Sequence, residues 1–551
     1  MRKAISQYCL AAALLTLTAC SGGGGGGSSS GPTQPAVSQA DATRFLEQSS
    51  FGPTPAAVTQ VQQMGFAAYL AQQFATPATG YSGFSYLTSN QAVGCPTGSA
   101  STCARDNYSL FPLQMQFFRN ALTGPDQLRQ RVALALSQLM VVSGIEVNQP
   151  YGMADYQNLL LNDAFGNYRQ LLYDVTLSPP MGRYLDIANN AKANPAKGTN
   201  PNENYGREVM QLFSIGLQQL NADGTPKLDG SGNPIPTYTQ PTIEGFSSVF
   251  TGWVYPPRQG APVFPAPVNY DGQMVPVAAQ HDENSKLLLN GTTLPAGQDP
   301  ATDLNQALDN IFNHPNVGPF IGKQLIQQLV TSNPSPAYVS RVSAVFADNG
   351  QGVRGDLKAV VQAILLDPEA RGDANTDPNF GKLREPILLI TAFLRGIGGA
   401  TQSDGEYLRN VSAALSQNVF DAGSVFNFYP PNYPLHGTSL VGPPFGIYDP
   451  ATALTRADFI VKLLTSKIAP DATVTNATGT SLDLTAWQTA AADTGTLVTQ
   501  INQLFFHGAM SGALQASLTQ TVNAIPAADT ADRAGAALYL ALASPEFQVE
   551  R

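Results

Sequence analysis

Apolar side chains recur along this chain at the three- and four-residue spacing of an α-helix far more often than at the two-residue spacing of a strand. Thr54-Pro55 offers a capping oxygen and a proline at the first helical position. Val58, Val61 and Met64 follow on one face, and Gly65 is placed to end the turn. Ser335-Pro336 opens a second such helix carrying Val339, Val342, Val345 and Phe346 before Gly350. In 356–366, Leu357, Val360, Val361, Ile364 and Leu365 form one stripe that Asp367-Pro368 stops, because proline disfavours helical geometry in the residue before it. Similar amphipathic periodicity predicts helices in 128–142, 156–175, 204–220, 320–330, 386–394, 453–464 and 534–542.

Strand signals are confined to 221–239, where Asp223-Gly224 and Asp229-Gly230 bracket short proline-containing pieces and predict a hairpin or an ordered loop. The expected fold is therefore mainly α, a multi-helix globular body with a minor β-hairpin. Long irregular insertions are expected at about 76–107, 221–240, 254–300 and 425–450. The stretch 466–500, rich in Thr and Ala, reads as a loop or mobile boundary before the final helices.

The amino end departs from this pattern. Arg2 and Lys3 precede an apolar run from Cys9 to Leu17 that is too short to span a bilayer, as in an export signal. Leu17-Thr18-Ala19-Cys20 resembles the lipobox of bacterial lipoproteins, which predicts a signal peptide at 1–19 and lipidation of Cys20. An ordinary secretory signal with a cysteine near its cleavage site is the alternative. Ser21 is compatible with sorting to the outer membrane. Residues 20–40, opening with six glycines, form a flexible Gly/Ser/Pro tether with no means of burying a core. The protein is accordingly expected in the cell envelope, on its periplasmic or surface side and anchored to the membrane through lipid.

Net charge is −10, which argues against nucleic acid as an electrostatic partner. Charged residues make up 12%, about half the usual share, so the surface rests on neutral polar side chains, as suits an exported protein. Apart from Cys20, only Cys95 and Cys103 remain beyond the signal. In an oxidising compartment they are expected to form a disulfide whose small loop contributes about 2–3 kcal/mol; two free buried thiols are the alternative.

Common catalytic motifs are missing. There is no Gly-x-Ser-x-Gly elbow and no phosphate-binding loop, and the glycines of 395–401 miss the dinucleotide fingerprint. His281, His314, His436 and His507 are far apart, so a metal centre would need distant pieces, and no metal ligand or cofactor is assigned. Asp229, Ser231 and Asn233 alternate like the start of a calcium loop, but Pro234 stands where glycine is needed; a plain turn is the simpler reading.

The most informative stretch is Asn202-Glu203-Asn204-Tyr205-Gly206-Arg207-Glu208. On a helical wheel Tyr205, Val209, Leu212, Phe213 and Ile215 share an apolar face, and Glu208 falls among them. An inward carboxylate costs several kcal/mol unless it is paired or protonated. Glu208 is therefore either half of a buried salt bridge or helix cap, or a proton-transfer group with a raised pKa. Glu203 and Arg207 lie on the opposite side at i and i+4, where an exposed ion pair is the default. The second cluster, His281-Asp282-Glu283-Asn284-Ser285-Lys286, brings an imidazole, carboxylates and an ammonium together; it serves either general acid–base chemistry or a polar turn. Trp253 is either a core anchor or a stacking platform for a sugar.

These residues carry a resemblance. Arg44-Phe45-Leu46, Ser50-Phe51-Gly52-Pro53-Thr54, the segment 202–216, Phe250-Thr251-Gly252-Trp253, His281-Asp282 with Lys286, and His314-Pro315 leading into Lys323 are similar to the bacterial family catalogued as domain of unknown function 1800. The resemblance covers roughly 41–465, a helical family domain, with 466–551 a C-terminal helical extension packed on it. It implies a secreted or lipid-anchored, mainly helical protein, with a sulfatase-like protein encoded nearby as a partner. Many members carry a Trp-His-Asn-His segment where this chain has Leu136-Ser137-Gln138-Leu139, which weakens any metal site transferred from them, and Asn284 stands at a frequent glycine. The family's activity is unassigned, so the resemblance supplies no reaction.

The residues themselves suggest an envelope hydrolase acting on an extracellular polymer or its fragments. Glu208, His281 and Asp282 would be catalytic, and Asn204, Arg207, Trp253 and Lys286 would bind substrate. The alternative is a noncatalytic binding or assembly factor for a secreted partner, in which the same residues hold the fold together.

Overall fold

The predicted punctuation marks produce the predicted helices. In the computed structural model, which describes residues 37–551 apart from 373–376, 378 and 402–404, Thr54 Oγ1 accepts from the Ala57 N–H and caps helix Pro55–Met64. Gly65 ends it at φ 78°. Ser335 caps Pro336–Ala347, and Asp356 caps Leu357–Leu366. Asp367 then caps the short helix Pro368–Arg371. Each cap satisfies a backbone donor that the first turn leaves unpaired and stabilises by about 1 kcal/mol.

Two long periodic segments are divided. The stretch 156–175 belongs to two helices, Pro150–Asp163 and Tyr168–Leu177, because Asn167 accepts from the Arg169 N–H and starts a new helix after Gly166. The segment 204–220 is helical only over Asn204–Gln211. Ser214 Oγ there takes the Val209 carbonyl, and Gly216, at φ 72°, turns the chain against the Phe320 ring. Residues 221–239 then fold back as an antiparallel ordered loop with bridges Leu220 to Pro226 and Leu228 to Pro234.

Helices packed on helices form one continuous apolar core that runs from Phe45 to Phe547. The described strands make four two-stranded antiparallel pairs. Trp253–Val254 pairs with Val275–Pro276, and Lys286–Leu287 with Thr293–Leu294; both sit in the 254–300 insertion. Cys95 and Cys103 are joined by a disulfide in the 76–107 insertion. Among the described residues no helix is long and apolar enough to cross a membrane. The signal peptide, Cys20 and most of the tether lie outside the described residues.

Residues 466–500 differ from the loop or mobile boundary expected of them. Thr480–Leu482 pairs with Gly399–Thr401, and Thr485–Ala490 is helical. Trp487 supplies the reason: its indole is buried and donates to the Ile397 carbonyl at 3.2 Å. Val37–Arg551 is one compact unit that includes 466–551. Val549–Glu550 pairs with Lys382–Leu383. Beside that pair Arg384, 1% exposed, binds Glu47 at 2.6 Å, Glu550 at 3.2 Å and the Phe547 carbonyl at 2.8 Å. Burial works to raise the Glu47 pKa, but Arg384 and His507 outweigh it and hold the carboxyl below its ordinary value.

Candidate functional site

Glu208 sits on a helix whose other faces are locked. Tyr205 is buried, with its hydroxyl 2.6 Å from Thr176 Oγ1, and Val209 and Met210 enter the core. Gly206 lies so close to helix Gln240–Val249 that a Cβ would stand 3.0 Å from Ser247 Oγ and 3.1 Å from its backbone nitrogen. With these contacts fixed, the Glu208 side chain is half-buried and lines an open cleft of about 570 Å³. Asn204, one turn earlier, lines it too, with Glu146, Arg183 and Asp186.

The cleft is polar and unevenly satisfied. Arg183 pairs with Glu146 at 3.3 Å. Asp186, held at φ 59°, accepts at Oδ2 from the side-chain amides of Asn204 at 2.8 Å and Asn202 at 3.3 Å. Glu208 is different, because its Oε2 is buried and has no hydrogen-bond partner. Desolvation raises the Glu208 pKa, and the opposing pull of Arg207 is weaker. Arg207 is engaged elsewhere: it binds Glu203 at 2.9 Å, the i and i+4 pair the sequence predicts. Burial together with the charges of Glu146 and Glu208 pushes the Tyr184 hydroxyl up to about 12, so it stays protonated beside the carboxyl. A carboxyl that burial shifts toward its protonated form, on the wall of an open cleft, is placed as acid catalysis requires.

His281 and its neighbours form a separate, closed cluster. The His281 ring is 1% exposed; Nδ1 is 2.9 Å from the Thr251 carbonyl and Nε2 2.9 Å from Asp303 Oδ2. Lys286, also 1% exposed, reaches the same Asp303 oxygen at 2.6 Å and donates to the Asn284 carbonyl at 2.9 Å. Asp282 Oδ1 accepts from the backbone and side-chain nitrogens of Asn284, an Asx turn. Gly252, at φ 85°, permits the close approach, since a Cβ there would stand 3.0 Å from the His281 nitrogen. Trp253, 3% exposed, lies in the core with its neighbouring strand.

The seven proposed site residues thus divide. Glu208 and Asn204 share a cleft. Arg207 is on the same helix but is bound to Glu203, and His281, Asp282, Trp253 and Lys286 do not line the Glu208 cleft. Both His281 ring nitrogens are engaged, and the Trp253 indole and Lys286 ammonium are buried, so the structure does not bring these residues together with Glu208. Asp303, which holds the cluster together, and Asp186, which lines the same cleft as Glu208, are not marked by the sequence. Asp303 lies at helical spacing from Ala307 on the buried face of Pro300–Phe312, a placement periodicity could have revealed. Nothing in the sequence signals Asp186.

The calcium-like Asp229 is a turn, its Oδ1 accepting from the backbone nitrogens of Ser231 and Asn233. Among the described residues no group of three or more His, Cys, Asp or Glu is arranged to hold a metal ion. Comparison with curated proteins and with solved structures finds no match to this chain. The model of one family, described as "Protein of unknown function (DUF1800)", matches residues 44–549, well past the 465 where the resemblance was read to stop, and the chain belongs to that family.

Proposed function

We propose that this protein is a cell-envelope hydrolase of the acid–base type, acting on an extracellular polymer or its fragments and tethered by lipid at Cys20. One observation carries the reading: Glu208 lines an open polar cleft while one of its carboxyl oxygens is buried without a partner. Protonated Glu208 gives its proton to the leaving oxygen as the bond to the neighbouring unit breaks. Asp186, fixed by its two asparagines, takes a proton from the attacking water, whose hydroxyl completes the other fragment. Exchange with solvent then returns the proton to Glu208.

The test is a screen of the purified protein against envelope and extracellular polysaccharides, with Glu208→Gln alongside. Hydrolysis by the wild type and its loss in a variant that melts like the wild type support the reading. Wild-type protein inert on every polymer, or a variant that unfolds, assigns Glu208 to holding the fold and favours the noncatalytic binding role. A sulfatase-like partner belongs to the same proposal, and co-purification from envelope extracts tests it.

A further inference from the structure

One turn beyond Glu208 the same chain segment reaches a second, deeper pocket. Val425 lines both the cleft and this pocket, so the two are adjacent. The pocket is small, about 40 Å³, room for a few water-sized groups. Its polar lining includes Gln138, Gln324, Lys382, Glu385 and Asn427.

Glu385 is the centre of it, and its two oxygens are treated differently. Oε2 accepts from Gln138 Nε2 at 2.9 Å, Gln417 Nε2 at 2.6 Å and Tyr429 Oη at 2.5 Å. Burial and the carboxylate itself push the Tyr429 hydroxyl well above its ordinary value, so it remains the donor. Oε1 is buried without a partner. So are Gln138 Oε1, Gln324 Nε2 and Asn427 Nδ2. Glu385, Asn427 and Gln138 are 1%, 7% and 8% exposed, which makes this a constructed interior surface. Buried polar groups are costly to leave unpaired, so the arrangement calls for an occupant that can donate to two oxygens and accept from two amides.

Charge narrows the occupant. Lys382, whose ammonium pairs with Glu550 at 2.9 Å, puts a positive group in the lining and Glu385 a negative one, so neither sign of charge is favoured throughout the pocket. Leu139, Leu212 and Pro431 add an apolar patch to the wall. The occupant is therefore neutral, offers both a donor and an acceptor, and carries a small apolar end.

We propose that this pocket binds the acetamido group of an N-acetylhexosamine unit, and that the polymer lying in the Glu208 cleft is a saccharide bearing such groups. The N–H meets Glu385 Oε1 and Gln138 Oε1, the carbonyl meets Gln324 and Asn427, and the methyl faces the apolar wall. The identity of the polymer rests on the cleft reading; binding of the acetamido group does not.

Titration calorimetry on the whole protein tests it, using a trimer of N-acetylglucosamine, its fully deacetylated counterpart and a glucose trimer. The acetylated trimer is expected to bind at least tenfold more tightly than either other sugar. Gln324→Met and Asn427→Gly remove one donor each, and glycine keeps the positive φ of 65° at Asn427; each is expected to weaken binding about tenfold with melting unchanged. Glu208→Gln should bind the acetylated trimer like the wild type while failing to cleave it. Equal affinity for the three sugars, no binding of any, or full affinity in both pocket variants overturns the proposal. If the acetylated trimer is preferred and Glu208→Gln still cleaves, the pocket stands and the acid role of Glu208 falls. If all three sugars are cleaved without preference, the cleft reading stands and the pocket falls.

Discussion

The Glu208 cleft and the His281 cluster contain the same kinds of side chain and lie on neighbouring elements, yet they solve opposite problems. Around Asp303 every charged group is buried and faces an opposite charge or a carbonyl, although Asp303 Oδ1, like Glu208 Oε2, has no hydrogen-bond partner; the difference is that Asp303 has Lys286 and His281 on its other oxygen. Around Glu208 one oxygen is buried without a partner, and the nearest guanidinium is engaged by Glu203. A closed ion cluster stabilises only as a complete set, because removing one member strands the others in a low dielectric. An unpartnered carboxyl beside open solvent costs stability and is kept for what it can do. Proximity of titratable residues in sequence therefore says little; whether their partners are already supplied by the fold decides between structure and chemistry.

Four changes probe this contrast. Asp303→Asn should be the most damaging, since it leaves the buried Lys286 ammonium and His281 without their counter-charge; urea denaturation should show a loss of about 3–5 kcal/mol. A loss under 1 kcal/mol would mean the cluster is hydrated and the contrast false. Glu208→Gln should reduce hydrolysis by about 10²–10⁴-fold, measured as kcat/KM on whichever polymer the screen identifies. Its stability should move the other way. The folded-state pKa of Glu208 lies above its ordinary value, so its contribution is full at low pH and is lost as pH rises through that raised value. The variant should then melt at or above the wild type at neutral pH, by a margin that grows as pH rises above the ordinary carboxylate range and levels off past the raised value, as calorimetry would record.

The pH–rate profile is the third probe. An acid with a raised pKa predicts activity that falls as pH rises through it, and the same limb should vanish from the residual activity of Glu208→Gln. A profile falling only on the acidic side would make Glu208 a base. The smallest effect belongs to Arg207→Ala, which breaks a solvent-exposed pair with Glu203 and should cost about 0.3–0.5 kcal/mol in denaturation. A larger loss of activity than of stability there would show that Arg207 leaves Glu203 to meet substrate.

Much of the fold was legible because caps and stops act locally. Thr54-Pro55, Ser335-Pro336 and Asp367-Pro368 set helix ends through bonds spanning three or four residues, and such bonds are written in adjacent letters. The break at Gly166-Asn167 was missed because the apolar periodicity continues across it, while the cap that restarts the helix is a single asparagine side chain. The helix at 485–490 was missed because its anchor, the Trp487 indole on the Ile397 carbonyl, joins residues 90 positions apart. The site divides the same way. Helical phase found Glu208, whose orientation depends on its own helix. It did not find that His281 is sealed by Asp303, 22 residues on, or that Asp186 and Glu385 stand near Glu208's segment, since those meetings depend on how helices pack.

Arg384 carries a consequence for how the chain is made. Its guanidinium is neutralised by Glu47, 337 positions earlier, and by Glu550, 166 positions later. A nascent polypeptide emerging amino end first has the arginine and only one of its two anions until Val549–Glu550 arrives. The interior cannot be sealed around it before then, so the final strand works as a latch that closes last. A product cut short ahead of that strand would keep an open seam at the heart of the molecule, where proteases could enter.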